Sequence, residues 1–203
     1  MIKSDFDLTH QNQSTESKIV ASLERISQAF RVLLWQESKT HSLTPIQVQI
    51  LIFLKFHSRE KCKVSYLADE FNMTKATISE TIKTLEQKKL ITRESEPLDT
   101  RSYFILLTTK GEEIAEKTSM FSKEIFKPIE KLGQDDKEIL LHSLLDIIRY
   151  LNKTGVITIQ RMCVTCKYYQ ITDNETHFCQ LLNQKLHVTN LRIDCPEHIL
   201  KQQ

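Results

Sequence analysis

Glycine and proline are scarce, with three Gly and four Pro in 203 residues. A turn-dense all-β fold needs many more of both, so the scarcity disfavours that class and favours long helices. Long apolar runs are also missing. The longest candidate, Ile46–Phe56, is too short to cross a bilayer and carries Gln and Lys, so no membrane partner is expected. The opening stretch MIKSDFDLTHQNQSTESK has no apolar centre of the kind a signal peptide carries, and a cytoplasmic protein is expected. No charge sign dominates: 28 Lys and Arg against 26 Asp and Glu leave a net +2, which selects no partner.

What is present is a globular composition, 40% hydrophobic and 27% charged, able to bury a core. Five cysteines occur. Cys62 stands alone, while Cys163, Cys166, Cys179 and Cys195 share the C-terminal end. In a reducing compartment such a cluster points to metal or redox chemistry and not to a disulfide framework.

Residues 1–16 are polar and read as a mobile tail. Ile19, Leu23, Ile26, Phe30 and Leu33 then recur at steps of three and four, one stripe of a helix over 17–38. Thr44–Pro45 is a helix start, and the helix that follows is apolar nearly all round, so it should be central. Ser65 is the expected cap of a short helix bearing Leu67, Ala68 and Phe71. After Asn72–Met73 a further helix carries Ile78, Ile82 and Leu85 on one side. The period then changes: ITRES and SYFILLT read as two strands joined at EPLDTR, with Pro97 and Asp99 as turn residues. Thr109 and Glu112 form a capping box for the next helix, which Pro128 should end or kink. Asp135 or Asp136 caps the last long helix, over 136–153, and Gly155 stops it. The expected fold is mainly α with a small β-hairpin wing. It comprises a domain over 17–154, with a lobe at 44–108 between dimerisation helices at 17–38 and 109–154, and a cysteine-rich module at 155–203.

Helix, helix, short turn, helix, hairpin is the order of a winged helix-turn-helix, whose second helix enters the major groove. That helix would present Thr74, Lys75, Thr77, Ser79, Thr81 and Lys83: short hydrogen-bonding groups and cations, suited to phosphates and base edges. Arg93 and Arg101 add guanidinium groups on the hairpin, where Asp99 can hold Arg101 in place. Any one of these residues alone is an ordinary solvated side chain; the ordered set is what points to duplex DNA.

LTPIQVQIL at 43–51, VSYLADEFNMTKATISETIKTLEQKKLITR at 64–93, DTRSYFILLT at 99–108 and TKGEE at 109–113 resemble the MarR family of bacterial winged-helix regulators. The resemblance implies a homodimer built from helices at both chain ends, a pseudo-palindromic operator, and a regulator expected to repress. It places Thr77 and Ser79 on the recognition helix and Arg101 on the wing. It also implies an effector site for small phenolic ligands between the dimer arms and the DNA-binding lobe. Two departures stand out: Glu80 occupies a position where such proteins often carry Arg, and the wing keeps Asp-x-Arg without the usual neighbouring basic residue. The first helix has no Cys, so peroxide sensing from that helix is not supported, and Cys62 reads as a structural residue.

Beyond Gly155 the chain outruns that resemblance. C-V-T-C at 163–166 is followed by Cys179 after 12 residues and Cys195 after 15 more. Four soft thiolates at such spacing suit one structural zinc per chain, and metal would fold a tail with little core of its own. An iron–sulfur cluster is the second reading and a thiol switch the third. His198, in Cys195-x-x-His198, is the runner-up ligand, ahead of His177. No catalytic motif of the hydrolase, kinase, zinc-protease or dinucleotide-binding kind occurs, so an enzyme is not expected. The competing functions are a redox- or oxygen-sensing regulator, which uses the same cysteines, and a protein-interaction scaffold that does not touch DNA.

Overall fold

A computed structural model describes residues 4–96, 99–172 and 176–201; of residues 99–101 it describes the backbone alone. The tail expectation for residues 1–16 is corrected over 4–16, and residues 1–3 lie outside the described residues. Helix α1 (Leu8–Gln13) forms there, capped by the Asp7 carboxylate, which accepts from the His10 amide at 2.9 Å. The Ser14 hydroxyl then caps α2 (Thr15–Thr40), and the Ser17 hydroxyl donates to Asp5 at 2.7 Å. Local side-chain acceptors satisfy the open amides of both helix starts, a signal that a count of apolar residues does not register.

Helix α3 (Pro45–Phe56) opens with a full capping box between Thr44 and Gln47, with Pro45 at its first position. Helix α4 (Val64–Glu70) starts before Ser65, which therefore caps nothing. The preceding segment is held in place from outside, by the Ile105 amide donating to the Cys62 carbonyl at 2.9 Å. Asn72, with φ of 50°, makes the turn into α5 (Lys75–Gln87); Asn tolerates this left-handed geometry better than most residues. Strands β1 (Ile91–Glu96) and β2 (Asp99–Leu107) form the antiparallel wing, with Ile91 opposite Leu107 and an irregularity between Ser95 and Glu96. The turn residue Pro97 lies outside the described residues.

Thr108, not Thr109, caps α6 (Thr109–Ser119). Its hydroxyl accepts from the Gly111 amide at 3.1 Å and donates to the Lys89 carbonyl at 2.9 Å, and that long-range bond pins the boundary. Gly111 is required there, because a Cβ would lie 2.0 Å from the Leu90 carbonyl oxygen. The helical stretch breaks at a 3₁₀ turn over Met120–Ser122, ahead of Pro128, which sits inside α7 (Lys123–Glu130). Gly133 precedes α8 (Gln134–Lys153), so Asp135 and Asp136 lie in its first turn, where carboxylates favour the positive helix end. Gly155, at φ of 77°, ends the helix as expected.

Two cores result. The larger joins α3, α4, α5 and the wing through fully buried Val48, Ile50, Leu51, Leu67, Ile78 and Ile82. Each such side chain stabilises the fold by roughly 1.5–3 kcal/mol relative to exposure. The smaller lies under the C-terminal segment, where Met162, Leu186 and Leu191 pack on Leu145 of α8, flanked by Leu141 and Ile148. Above it, β3 (Tyr169–Ile171), β4 (His177–Cys179) and β5 (Gln184–Leu186) form an antiparallel sheet in sequence order. The apolar surface of α8 is therefore divided. One strip carries the cysteine segment, and another, with Ile139 at 67% and Tyr150 at 66% exposure, is open.

Candidate nucleic-acid interface and cysteine cavity

Helix α5 buries Ile78, Ile82 and Leu85 and turns its other side outward. At 100° per residue the outermost positions are Ala76, Glu80, Lys83 and Gln87, with Thr77 and Ser79 on either flank. Thr77 is exposed and Ser79 half-buried. Thr74 serves as the cap: its hydroxyl accepts from the Thr77 amide at 3.1 Å and lies 2.8 Å from the Thr77 hydroxyl. The Thr81 hydroxyl donates to the Thr77 carbonyl at 2.8 Å, which turns it back onto its own helix. Lys75 is exposed at the N-terminal end. Lys83, 59% exposed at its side chain, approaches the Glu80 carboxylate at 4.0 Å.

On the wing, Arg93 pairs with Glu86 of α5 at 3.0 Å and lies over the Tyr103 ring at 4.8 Å. It braces the strand against the helix. Arg59 pairs with Glu94, Lys63 with Glu96 at 2.7 Å, and both cations lie over Phe104. Arg101 has its backbone in β2, and its side chain lies outside the described residues. The structure thus brings Thr74, Lys75, Thr77 and Ser79 to one helix end, while Thr81 and Arg93 are engaged within the lobe. Ala76 was missed as a surface candidate, although the helical period opposite Ile78 and Ile82 carried the signal; Glu80, already notable in the sequence, stands on the same outer face. Ala76 offers a methyl to a thymine, and Glu80 an acceptor to a cytosine amine.

Cys62 is buried, with its thiol aimed at the Ser58 carbonyl at 3.4 Å; burial pushes its pKa up to about 11. That is an inert structural thiol, as expected from the sequence. The other four cysteines are free thiols and line one cavity of about 200 Å³. Its remaining wall is largely Tyr168, Tyr169, Leu181, Leu182 and Leu186. The Arg192 amide donates to the Cys163 sulfur at 3.2 Å, and its guanidinium to the Cys195 sulfur at 3.5 Å. Burial raises the pKa of the Cys163 thiol, against the pull of the Arg192 amide. Among the described residues no three Cys, His, Asp or Glu side chains come together as the ligands of a single ion would. Neither histidine joins the cavity wall: the His198 ring lies 3.0 Å from the Thr165 hydroxyl, and the His177 ring 2.6 Å from the Tyr169 hydroxyl.

A charged fork joins the cysteine segment to the lobe, and no sequence spacing announced it. The Arg161 guanidinium, 9% exposed, donates to Asp194 at 2.6 and 2.7 Å, to Glu70 at 2.7 and 3.1 Å, and to the Tyr66 hydroxyl at 2.9 Å. Asp194 also meets the His57 ring at 2.8 Å, and that ring stacks on Phe53. Burial would raise the Asp194 pKa, but its bonds to Arg161 and His57 outweigh it and hold the carboxyl at about 2. Bonds from Asp194, Glu70 and Tyr66 keep the Arg161 proton bound despite burial.

A helix-turn-helix, an exposed short-chain polar helix end and a two-stranded wing define a winged-helix DNA-binding lobe. Residues 41–102 match the family model described as MarR family. The chain is 27% identical over 110 residues to the HTH-type transcriptional regulator SarZ of Staphylococcus haemolyticus, covering 54% of this chain and 73% of that one. It is 34% identical over 76 residues to SarZ of Staphylococcus saprophyticus, covering 37% and 52%. Among solved structures, the S. aureus MepR–DNA complex matches with a TM-score of 0.57 at 26% identity, over 65% of this chain and 97% of MepR. MepR in its DNA-binding conformation also gives 0.57 at 26%, over 66% and 98%. The chain is MarR-like over its winged helix, and these relatives are transcriptional regulators, not enzymes. About a third of the chain has no counterpart in MepR.

Proposed function

We infer that this chain is a DNA-binding transcriptional regulator of the MarR type that acts as a homodimer on a two-half-site operator. The observation that carries the reading is the N-terminal end of α5, where Lys75, Ala76, Thr77 and Ser79 stand at a solvent-facing helix start beside the wing. Open amides at that end suit a phosphate, and the short side chains let the helix approach base edges. Glu80, 72% exposed, sits mid-face and would repel phosphate, so base readout is expected to favour a cytosine near it.

The dimer reading is supported by the apolar surface left on the long helices. Ile19, Ile26 and Trp35 of α2 are about half exposed, and Ile139, Ile147 and Tyr150 of α8 face outward. A monomer seldom leaves so much apolar surface open, and a second copy of the chain would cover it. The four-cysteine segment is read as a metal-binding module, supported by four free thiols on one cavity wall and by a core too small to hold the segment alone. The expected direction of regulation is repression, and small-molecule control between arm and lobe is part of the proposal.

The test is selection of a duplex from a random-sequence library by the full chain, followed by binding at several salt concentrations. The expected result is a pseudo-palindrome with half-sites about one helical turn apart, and affinity that falls steeply with salt. Thr77→Ala should cost on the order of 1–3 kcal/mol on the selected duplex. Binding no tighter than to unselected duplex would overturn the reading and favour the protein-interaction scaffold.

A further inference from the structure

The cysteine cavity is the wrong size for the single zinc that its ligand spacing suggests. Four thiolates bound about 2.3 Å from one zinc stand roughly 3.8 Å from each other, with no free space between them. Here the four thiols line, together with nine other residues, a cavity of about 200 Å³, whereas one water claims only about 30 Å³ and a bare ion less. No three of the four converge as ligands of one ion must. We propose that Cys163, Cys166, Cys179 and Cys195 hold an iron–sulfur cluster, one thiolate at each corner of a body that fills the cavity.

The wall around those thiols suits such a group. Tyr168, Tyr169, Leu181 and Leu182 make much of the wall apolar, beside Gln184, Asn190 and Glu197. The Arg192 amide and guanidinium donate to two of the ligand sulfurs, the kind of contact that stabilises thiolate ligands and raises a cluster's potential. Neither His177 nor His198 lines the cavity: the His198 ring meets the Thr165 hydroxyl, and the His177 ring meets the hydroxyl of Tyr169, itself a wall residue. Loading is a ligand exchange: a preassembled cluster is received from a thiol carrier, each Fe–S bond to a carrier thiolate breaks as one to a cysteine of this chain forms, the four thiol protons pass to the released carrier thiolates, and no electron changes hands.

A different observation carries a second step, which rests on the DNA-binding reading. Arg161 precedes Cys163 by two residues and Asp194 directly precedes Cys195. The two segments are tied by the Cys195 amide to the Arg161 carbonyl at 3.0 Å and the Cys163 amide to the Arg192 carbonyl at 3.1 Å. A cluster that binds both cysteines fixes the Arg161–Asp194 fork, and the fork grips Glu70 and Tyr66 of α4, the helix that supports α5. The state of the cavity is thereby read by the helix-turn-helix, through a contiguous set of charge-assisted bonds.

The full chain, purified without oxygen from iron-replete cells, should be brown, absorb near about 400 nm, and contain iron and acid-labile sulfide in equal amounts, about four of each for a cubane. Cys179→Ser should lose both, while Cys62→Ser, at a buried thiol outside the cavity, should keep them. A colourless wild-type chain holding one zinc and no sulfide would overturn the cluster, whatever the variants do and whether or not DNA is bound. For the second step, duplex binding is compared between loaded and chelator-stripped protein. A tenfold or larger loss on stripping is expected, and Arg161→Met should keep its iron but bind duplex equally with and without it. Equal affinity of loaded and stripped wild-type protein would overturn the relay and leave the cluster standing.

Discussion

The winged-helix lobe and the cysteine segment solve the same problem by different means. The lobe closes its own core, with side chains from α3, α4, α5 and the wing meeting at near-zero exposure. The cysteine segment has three strands of three residues each and a few buried side chains, and it borrows Leu145 of α8 to complete its core. So short a chain segment buries too little apolar area to offset its conformational entropy. Stability therefore resides in the lobe's own buried hydrocarbon, whereas the segment borrows surface from α8 and, on the proposed reading, ligation of its thiols.

That contrast can be tested from either side. If the proposed ligation holds, the largest effect is expected from Cys163→Ser, because metal ligation of a small site supplies on the order of 10 kcal/mol of folding free energy. Hydrogen exchange should show protection lost over 156–201 and kept in α3 and α5; equal loss in both regions would refute the division. Next, Ile82→Ala should destabilise the lobe by about 2–5 kcal/mol in urea unfolding, since the residue is fully buried and the site cannot collapse around it. Ile147→Glu, on the open strip of α8, should halve the solution mass measured by light scattering while circular dichroism stays unchanged. The same substitution at Leu145 should instead loosen the cysteine segment, because that side chain lies under it. The smallest effect belongs to Lys127→Ala, which removes an exposed pair with Glu124 and should shift lobe stability by less than about 0.5 kcal/mol.

Much of the lobe is legible in the order of its residues. The Thr44–Pro45 start, the stripe of Ile78, Ile82 and Leu85, and the β-branched strands are all visible as local periodicity, and each appears where expected. Boundaries are less legible when a distant partner sets them. Thr108 displaces Thr109 as cap because it also holds the Lys89 carbonyl. The helix break falls at Met120–Ser122, ahead of Pro128, and α7 ends two residues after that proline, at Glu130. Among candidate site residues, Thr77 and Ser79 stand on the open flanks of α5, while Arg93 is occupied by Glu86 and Tyr103 across the lobe. No one-dimensional pattern places an arginine on a wing strand next to a glutamate of the helix before it.

Residue type and spacings within a few turns of chain were enough to specify the helix-turn-helix, the wing and the gathering of four cysteines at one end, because each of those features is local. Tertiary packing decided the rest: that α8 divides its apolar surface between the cysteine segment and an open strip, that the four thiols line one cavity, and that Arg161 reaches Tyr66 and Glu70, more than ninety residues away. Side chains so far apart in sequence become partners only once two cores have set the distance between them, and a buried guanidinium has then to be satisfied by whichever carboxylates the packing brings within reach.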